Sequence, residues 1–119
     1  VPFKTILKEL MDTVPGATGA ILADWEGEAV EQCCLYDVFA LKVIAAHKGI
    51  LLNLMKDTHQ KIEAGELRHT VITTDGQHFI TGSIGADYFL VMTLDKTAIV
   101  GLAVHHFQAA QQRMFREIY

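Results

Sequence analysis

The sequence predicts an α+β protein in three layers: a five-stranded, largely antiparallel sheet with helices on both faces. Hydrophobic spacing switches along the chain in the order helix-strand-strand-helix-strand-strand-strand-helix. Every strand-to-strand link is short enough for a hairpin, which makes neighbouring strands antiparallel. The long central helix is apolar around more than half its circumference, too much for a helix buried on one side only. The two outer helices are the natural pair for one face of the sheet, leaving the central helix to the other.

Phe3, Ile6, Leu7, Leu10 and Met11 recur at helical spacing, so the first helix runs over about 3–13, and Pro15 and Gly16 stop it. Thr18–Ala23 and Glu28–Cys34 read as two strands joined through Asp24-Trp25-Glu26-Gly27, with Gly27 at positive φ. Asp37 is placed to cap a helix over about 38–63, which closes with Gly65 as its C-terminal stop. Leu67–Thr74 and Gln77–Ile84 flank Asp75-Gly76, a two-residue hairpin signal of the primed type. That turn pairs 74 with 77, which sets His69 against Gly82 and His78 against Thr73. Tyr88–Leu94 is the fifth strand. The last helix covers Ala98–Ile118, burying Val100, Ala103, Val104, Phe107, Met114 and Ile118.

A chain of 119 residues suits one domain, here 1–119. Half of the residues are hydrophobic and only 20% are charged, which implies apolar surface that a partner buries. The net charge of −4 without any basic block argues against nucleic acid, whose binding depends on phosphate neutralisation. Cys33 and Cys34 adjoin and, in a strand, point to opposite faces, so reduced thiols in a cytoplasmic protein are expected. No run reaches the roughly 18 apolar residues of a membrane span, and membrane insertion is not expected. No signal peptide is visible, and the start at Val1 suggests a trimmed or processed end.

No catalytic constellation emerges. Gly16 and Gly19 lie between a helix and a strand, the wrong order for a phosphate loop, and no lysine follows until Lys42. The only serine, Ser83, sits in Thr81-Gly82-Ser83-Ile84-Gly85, which lacks the first glycine of a nucleophile elbow and leads into a strand. Nothing local suggests a depressed pKa for either cysteine. The six histidines include no helical pair spaced three or four apart, so no metal site is expected. Asp24, Glu26, Glu28 and Glu31 cluster at the first hairpin, most simply as a solvated turn. Trp25 among them has two readings: folded back onto its own sheet, or presented to a partner.

The central helix carries the strongest functional signal. One apolar stripe is Leu41, Ile44, Ala45, Leu52 and Met55, interrupted by Lys48, whose stem should snorkel. A second is Val43, His47, Ile50, Leu51 and Leu54, running beside Ala46, Gly49 and Asn53. Glycine mid-helix costs about 1 kcal/mol relative to alanine, and close approach of another backbone would offset it. One sheet face cannot cover both stripes, so a helix-on-helix subunit interface is expected over core packing under a loop.

The element order resembles the Roadblock (dynein light chain) domain. So do the Val14-Pro15-Gly16-Ala17 helix exit after Leu10, Gly19-Ala20-Ile21-Leu22-Ala23-Asp24 into Gly27, and the Asp75-Gly76 hairpin. Leu90-Val91-Met92 and the passage from Asp95 to Gly101-Leu102 fit as well. The resemblance covers nearly the whole chain. It implies a profilin-like sandwich without enzymatic chemistry or cofactor, acting as a homodimeric scaffold or regulator of a Ras-like small GTPase, in some bacterial members as a GTPase-activating partner. The dimer would form by pairing central helices and joining third strands. On this chain that assigns Val43, Ala46, His47, Gly49, Ile50, Asn53 and Leu54 on the helix, and Arg68, Thr70 and Ile72 on the strand. Trp25 adds bulk and Glu26 adds charge at a turn that is often simpler in the family, so a partner contact there, through Asp24, Trp25, Glu26 and Glu28, would be specific to this protein. None of the three arginines, Arg68, Arg113 and Arg116, has the context of an arginine finger. Stimulation, if it occurs, would work by reshaping the GTPase. A small-molecule-sensing module with a profilin-like or GAF-like sandwich is the alternative; it needs a cavity beneath the central helix.

Overall fold

Eight elements appear in the expected order in the computed structural model, which describes residues 3–119. They are α1 (Phe3–Thr13), β1 (Ala17–Asp24), β2 (Ala29–Cys34), α2 (Val38–Lys61), β3 (His69–Thr73), β4 (Gln77–Ile84), β5 (Tyr88–Asp95) and α3 (Val100–Ile118). The five strands form one antiparallel sheet in the order β2-β1-β5-β4-β3. The central β1–β5 pairing is a long-range contact that closes the two hairpins into one sheet.

Each face of the sheet carries its own core. On one side Ile6, Leu7 and Leu10 of α1 and Ala103, Phe107, Ala110 and Met114 of α3 pack against Ala20, Leu22, Ile80, Leu90 and Met92. On the other, Leu41, Ala45 and Leu52 of α2 pack against Ile21, Ala23, Phe89 and Val91. The alternation of strand side chains separates the adjacent cysteines as expected: Cys33 lies against the first core and Cys34 against the second, both free thiols.

The second hairpin has the expected register, with His69 opposite Gly82 and Thr73 opposite His78. Its turn is not of the primed type, however, because neither Asp75 nor Gly76 adopts positive φ. Thr74 organises it instead. Its hydroxyl oxygen accepts from the Gly76 and Gln77 N–H groups, both at 3.2 Å, while the Thr74 N–H reaches the Gln77 carbonyl at 2.9 Å. A hydroxyl that bonds its own backbone a few residues on substitutes for the left-handed residues a primed turn needs.

Asp37 caps α2, its carboxylate accepting from the Phe39 N–H at 3.2 Å. The helix ends earlier than expected, at Lys61, and not on a glycine. Glu63 takes the left-handed conformation, with φ of 54°. The Glu63 N–H bonds the Gln60 carbonyl at 3.3 Å and the Ala64 N–H bonds the His59 carbonyl at 3.0 Å, the paired bonds of a Schellman ending. A side chain in that conformation costs roughly 1–2 kcal/mol. Glu63→Gly is therefore expected to stabilise the protein by about 0.5–1 kcal/mol after glycine's extra backbone entropy, read as a higher urea midpoint with an unchanged slope.

Candidate functional site

The sheet's last strand and its longest helix leave one side of the molecule unfinished. α2 lies with Leu41, Ala45, Lys48, Gly49 and Leu52 against the sheet. The opposite side is a largely exposed row at helical spacing: Phe39 is 71% exposed, Val43 53%, Ile50 63% and Leu54 60%. His47 stands within that row, and Ala46 and Asn53 flank it, all exposed. By length and composition α2 is apolar enough to cross a membrane, which a search for unbroken apolar runs overlooked. Lys42 and Lys48 interrupt such a run without making the helix polar. This outward row shares Val43, His47, Ile50 and Leu54 with the second stripe expected from the sequence; Phe39 extends it, and Leu51 is half-buried.

Beside this helix, β3 has a single strand neighbour, so one row of its backbone N–H and C=O groups is open. Thr70 pairs with Thr81 and Ile72 with Phe79, and the Phe79 ring lies under Lys48 of α2. Thr70 and Ile72 therefore share the α2 side of the edge strand. Arg68 does not belong to the strand, which starts at His69. Its carbonyl is tied to α3 instead, accepting from Gln111 Nε2 at 3.0 Å.

Gly49 is the main correction. It was expected on the exposed face, and it is buried against the sheet. A Cβ there would come within 2.6 Å of Cζ of Phe89. The close approach that offsets the cost of a mid-helix glycine is to the chain's own aromatic ring, not to another helix. Lys48 beside it behaves as expected for a snorkelling stem: the residue is 9% exposed, with Nζ 4.2 Å above the centre of the Phe79 ring.

Trp25 takes the first of its two readings and folds back. Its ring centre is 4.9 Å from that of Phe89, and Lys56 Nζ covers it at 4.7 Å. Its Nε1 is buried without an acceptor among the described residues. Asp24 serves the turn, its Oδ1 accepting from the Glu26 and Glu28 N–H groups at 3.0 Å each, and Gly27 has φ of +90°. The carboxylates of Glu26 and Glu28 remain exposed. Trp25→Ala should cost about 2–3 kcal/mol of stability by emptying the site over Phe89, measured by urea denaturation. Loss of partner binding at unchanged stability would reverse this assignment.

Several other polar residues have partners within the fold. Tyr36 shares a hydrogen bond with Thr93 at 3.1 Å, and Thr93 with Thr18 at 2.8 Å. Burial pushes the Tyr36 phenol above its ordinary pKa, the Thr93 bond opposes this, and Cys34 adds to the rise. His78 bonds the Thr73 hydroxyl and the Lys96 carbonyl. His105 and His106 meet edge to face, and Arg113 is held by Glu9. Among the described residues no three His, Cys, Asp or Glu side chains converge on a point. Two open grooves, about 740 and 610 Å³, flank the segment 65–68 at the end of the sheet. The first runs under the last turns of α2, where Lys56, His59 and Gln60 line it; beneath the middle of the helix, where a sensing module would need its cavity, Leu41, Ala45, Leu52 and Phe89 fill the space.

Comparison with known proteins bears on this geometry. The family model described as the Roadblock/LC7 domain matches residues 4–94. A Roadblock/LC7 domain from Streptomyces avermitilis superposes with a TM-score of 0.87 at 17% identity, covering 97% of this chain and 96% of that one. The gliding protein MglB from Thermus thermophilus gives 0.85 at 18% identity, covering 96% and 86%. Profilin IA from Acanthamoeba castellanii gives 0.64 at 11% identity, covering 98% and 99%. No curated protein matches the sequence significantly.

Proposed function

This chain belongs to the Roadblock/LC7 domain family, and on that premise we propose that it is a non-enzymatic regulator or scaffold working as a homodimer. Two copies pair through the outward row of α2 and join their β3 edges into one continuous sheet. The dimer then binds a Ras-like small GTPase in the cytoplasm, tethering it or stimulating its hydrolysis. The observation that carries the pairing is the apolar row Phe39, Val43, Ile50 and Leu54 standing beside an open edge strand. Contiguous exposed apolar surface marks an interaction site, and a two-fold axis makes one patch complementary to itself.

The GTPase assignment is supported by the family and by the fold shared with a gliding protein. We assign no arginine finger to the chain: Arg113 is paired with Glu9, and Arg68 and Arg116, exposed beside one groove, stand in no sequence context that marks one. Stimulation would therefore act by reordering the GTPase's own groups.

Sedimentation at micromolar concentration tests the pairing; a monomer there overturns it. Pull-downs with the wild-type chain, in GDP and in a non-hydrolysable GTP analogue, test the partner. Nucleotide-dependent recovery of a small GTPase supports the reading, and recovery of none while the chain remains dimeric counts against it. Binding to lipid vesicles in place of self-association would assign the apolar row to a membrane surface.

A further inference from the structure

One ionisable side chain sits in the otherwise apolar row of α2. His47 falls between Val43 and Ile50 at helical spacing and is exposed. Its Nδ1 lies 3.3 Å from Lys48 Nζ. An ammonium only donates, so this contact is a hydrogen bond only while Nδ1 carries no proton. Lys48 cannot readily turn away, because its stem is buried and its head is held over the Phe79 ring at 4.2 Å.

We propose that the interface between two copies is proton-gated by His47, stable while the imidazole is neutral and released when it is protonated. This rests on the pairing through α2 proposed above. Protonation would do two things at one place. It would replace the Lys48–His47 hydrogen bond with repulsion between adjacent cations. It would also put a charge into a seam that pairing removes from water, where an unpaired charge costs far more than in solvent. The two-fold axis doubles both effects.

No carboxylate faces His47 to compensate. On the sheet side of α2 the ionisable groups are Cys34, whose thiol donates to the Tyr36 carbonyl at 3.0 Å, Tyr36, bonded to Thr93, and Asp95, opposite Gln77 on that face, whose carboxylate accepts from the Thr97 hydroxyl at 2.9 Å. The edge strand offers Thr70 and Ile72, with Arg68 just ahead of it. Further along α2, Lys56 covers Trp25, and Asp57 is already paired with Lys61 at 3.0 Å. Nearby charge is therefore cationic or already compensated. Histidine is the side chain whose charge ordinarily changes between pH 5 and 8, a window in which carboxylates stay ionised.

The test is the dimer dissociation constant by sedimentation equilibrium at pH 8.0 and 5.5, for the wild type and His47→Gln, with far-UV circular dichroism at both pH values. Glutamine keeps an acceptor for Lys48 and cannot be charged. The expected result is a weakening of about tenfold or more for the wild type at pH 5.5, less than twofold for His47→Gln, and unchanged dichroism. Equal weakening of both proteins, or none in the wild type, overturns the gate while leaving the dimer standing. A monomer at both pH values overturns the gate together with the pairing it rests on.

Discussion

Gly49→Leu should destabilise the fold, not merely separate its copies. The first added carbon would lie 2.6 Å from Cζ and 3.1 Å from both ε carbons of the Phe89 ring. That ring cannot yield: it is 2% exposed and carries Trp25 on it. Replacing a mid-helix glycine gains about 1 kcal/mol of helix propensity. Forcing a leucine into a filled site costs more, and we expect a net loss of about 3 kcal/mol or more. Urea denaturation of the variant, at a concentration where the wild type is monomeric, measures it. A folded variant of wild-type stability that no longer associates would return Gly49 to the interface.

Ile50→Asp should do the opposite: leave the fold and abolish pairing. Ile50 contributes its exposed side to the α2 row, and substitution at such a site changes stability by about 0.5 kcal/mol or less. In a two-fold pair each copy would bury one unpartnered carboxylate. The dissociation constant should rise at least about 100-fold, equivalent to about 2.7 kcal/mol. Sedimentation shows this as a monomer at concentrations where the wild type is paired, with circular dichroism unchanged. An Ile50→Asp chain that still pairs as the wild type does would remove α2 from the interface. Read together, the two variants separate the two sides of one helix: position 49 tests the core and position 50 the surface.

Adjacent positions with opposite roles also show how far the sequence could be read. The two stripes of α2 were visible as spacing, and the outward one contains Val43, Ile50 and Leu54 as expected. Helical periodicity says which residues share a side. It places Gly49 near the boundary between the stripes, and a glycine has no side chain to reveal which way the boundary falls. That was decided by Phe89, forty residues away, whose ring needs the missing Cβ. Trp25 was open for the same reason. An indole at a hairpin tip has no local preference between solvent and sheet, and Phe89 and Lys56 supply the surface that holds it.

Local chemistry alone determined the element order, the Asp37 cap, the His69–Gly82 register and the opposite facing of Cys33 and Cys34, because each depends on a few neighbouring residues and a fixed period. The tertiary structure decided what depends on distant partners or on competition between backbone conformations. The β1–β5 contact joins the hairpins, and β3 is left as an open edge. Glu63, not Gly65, accepts the left-handed turn that ends α2, and the Thr74 hydroxyl displaces the primed geometry that Asp75-Gly76 suggested. The physical division is between terms a short segment can satisfy by itself and terms, chiefly packing volume and exposure, that exist only once both faces of the sheet are covered.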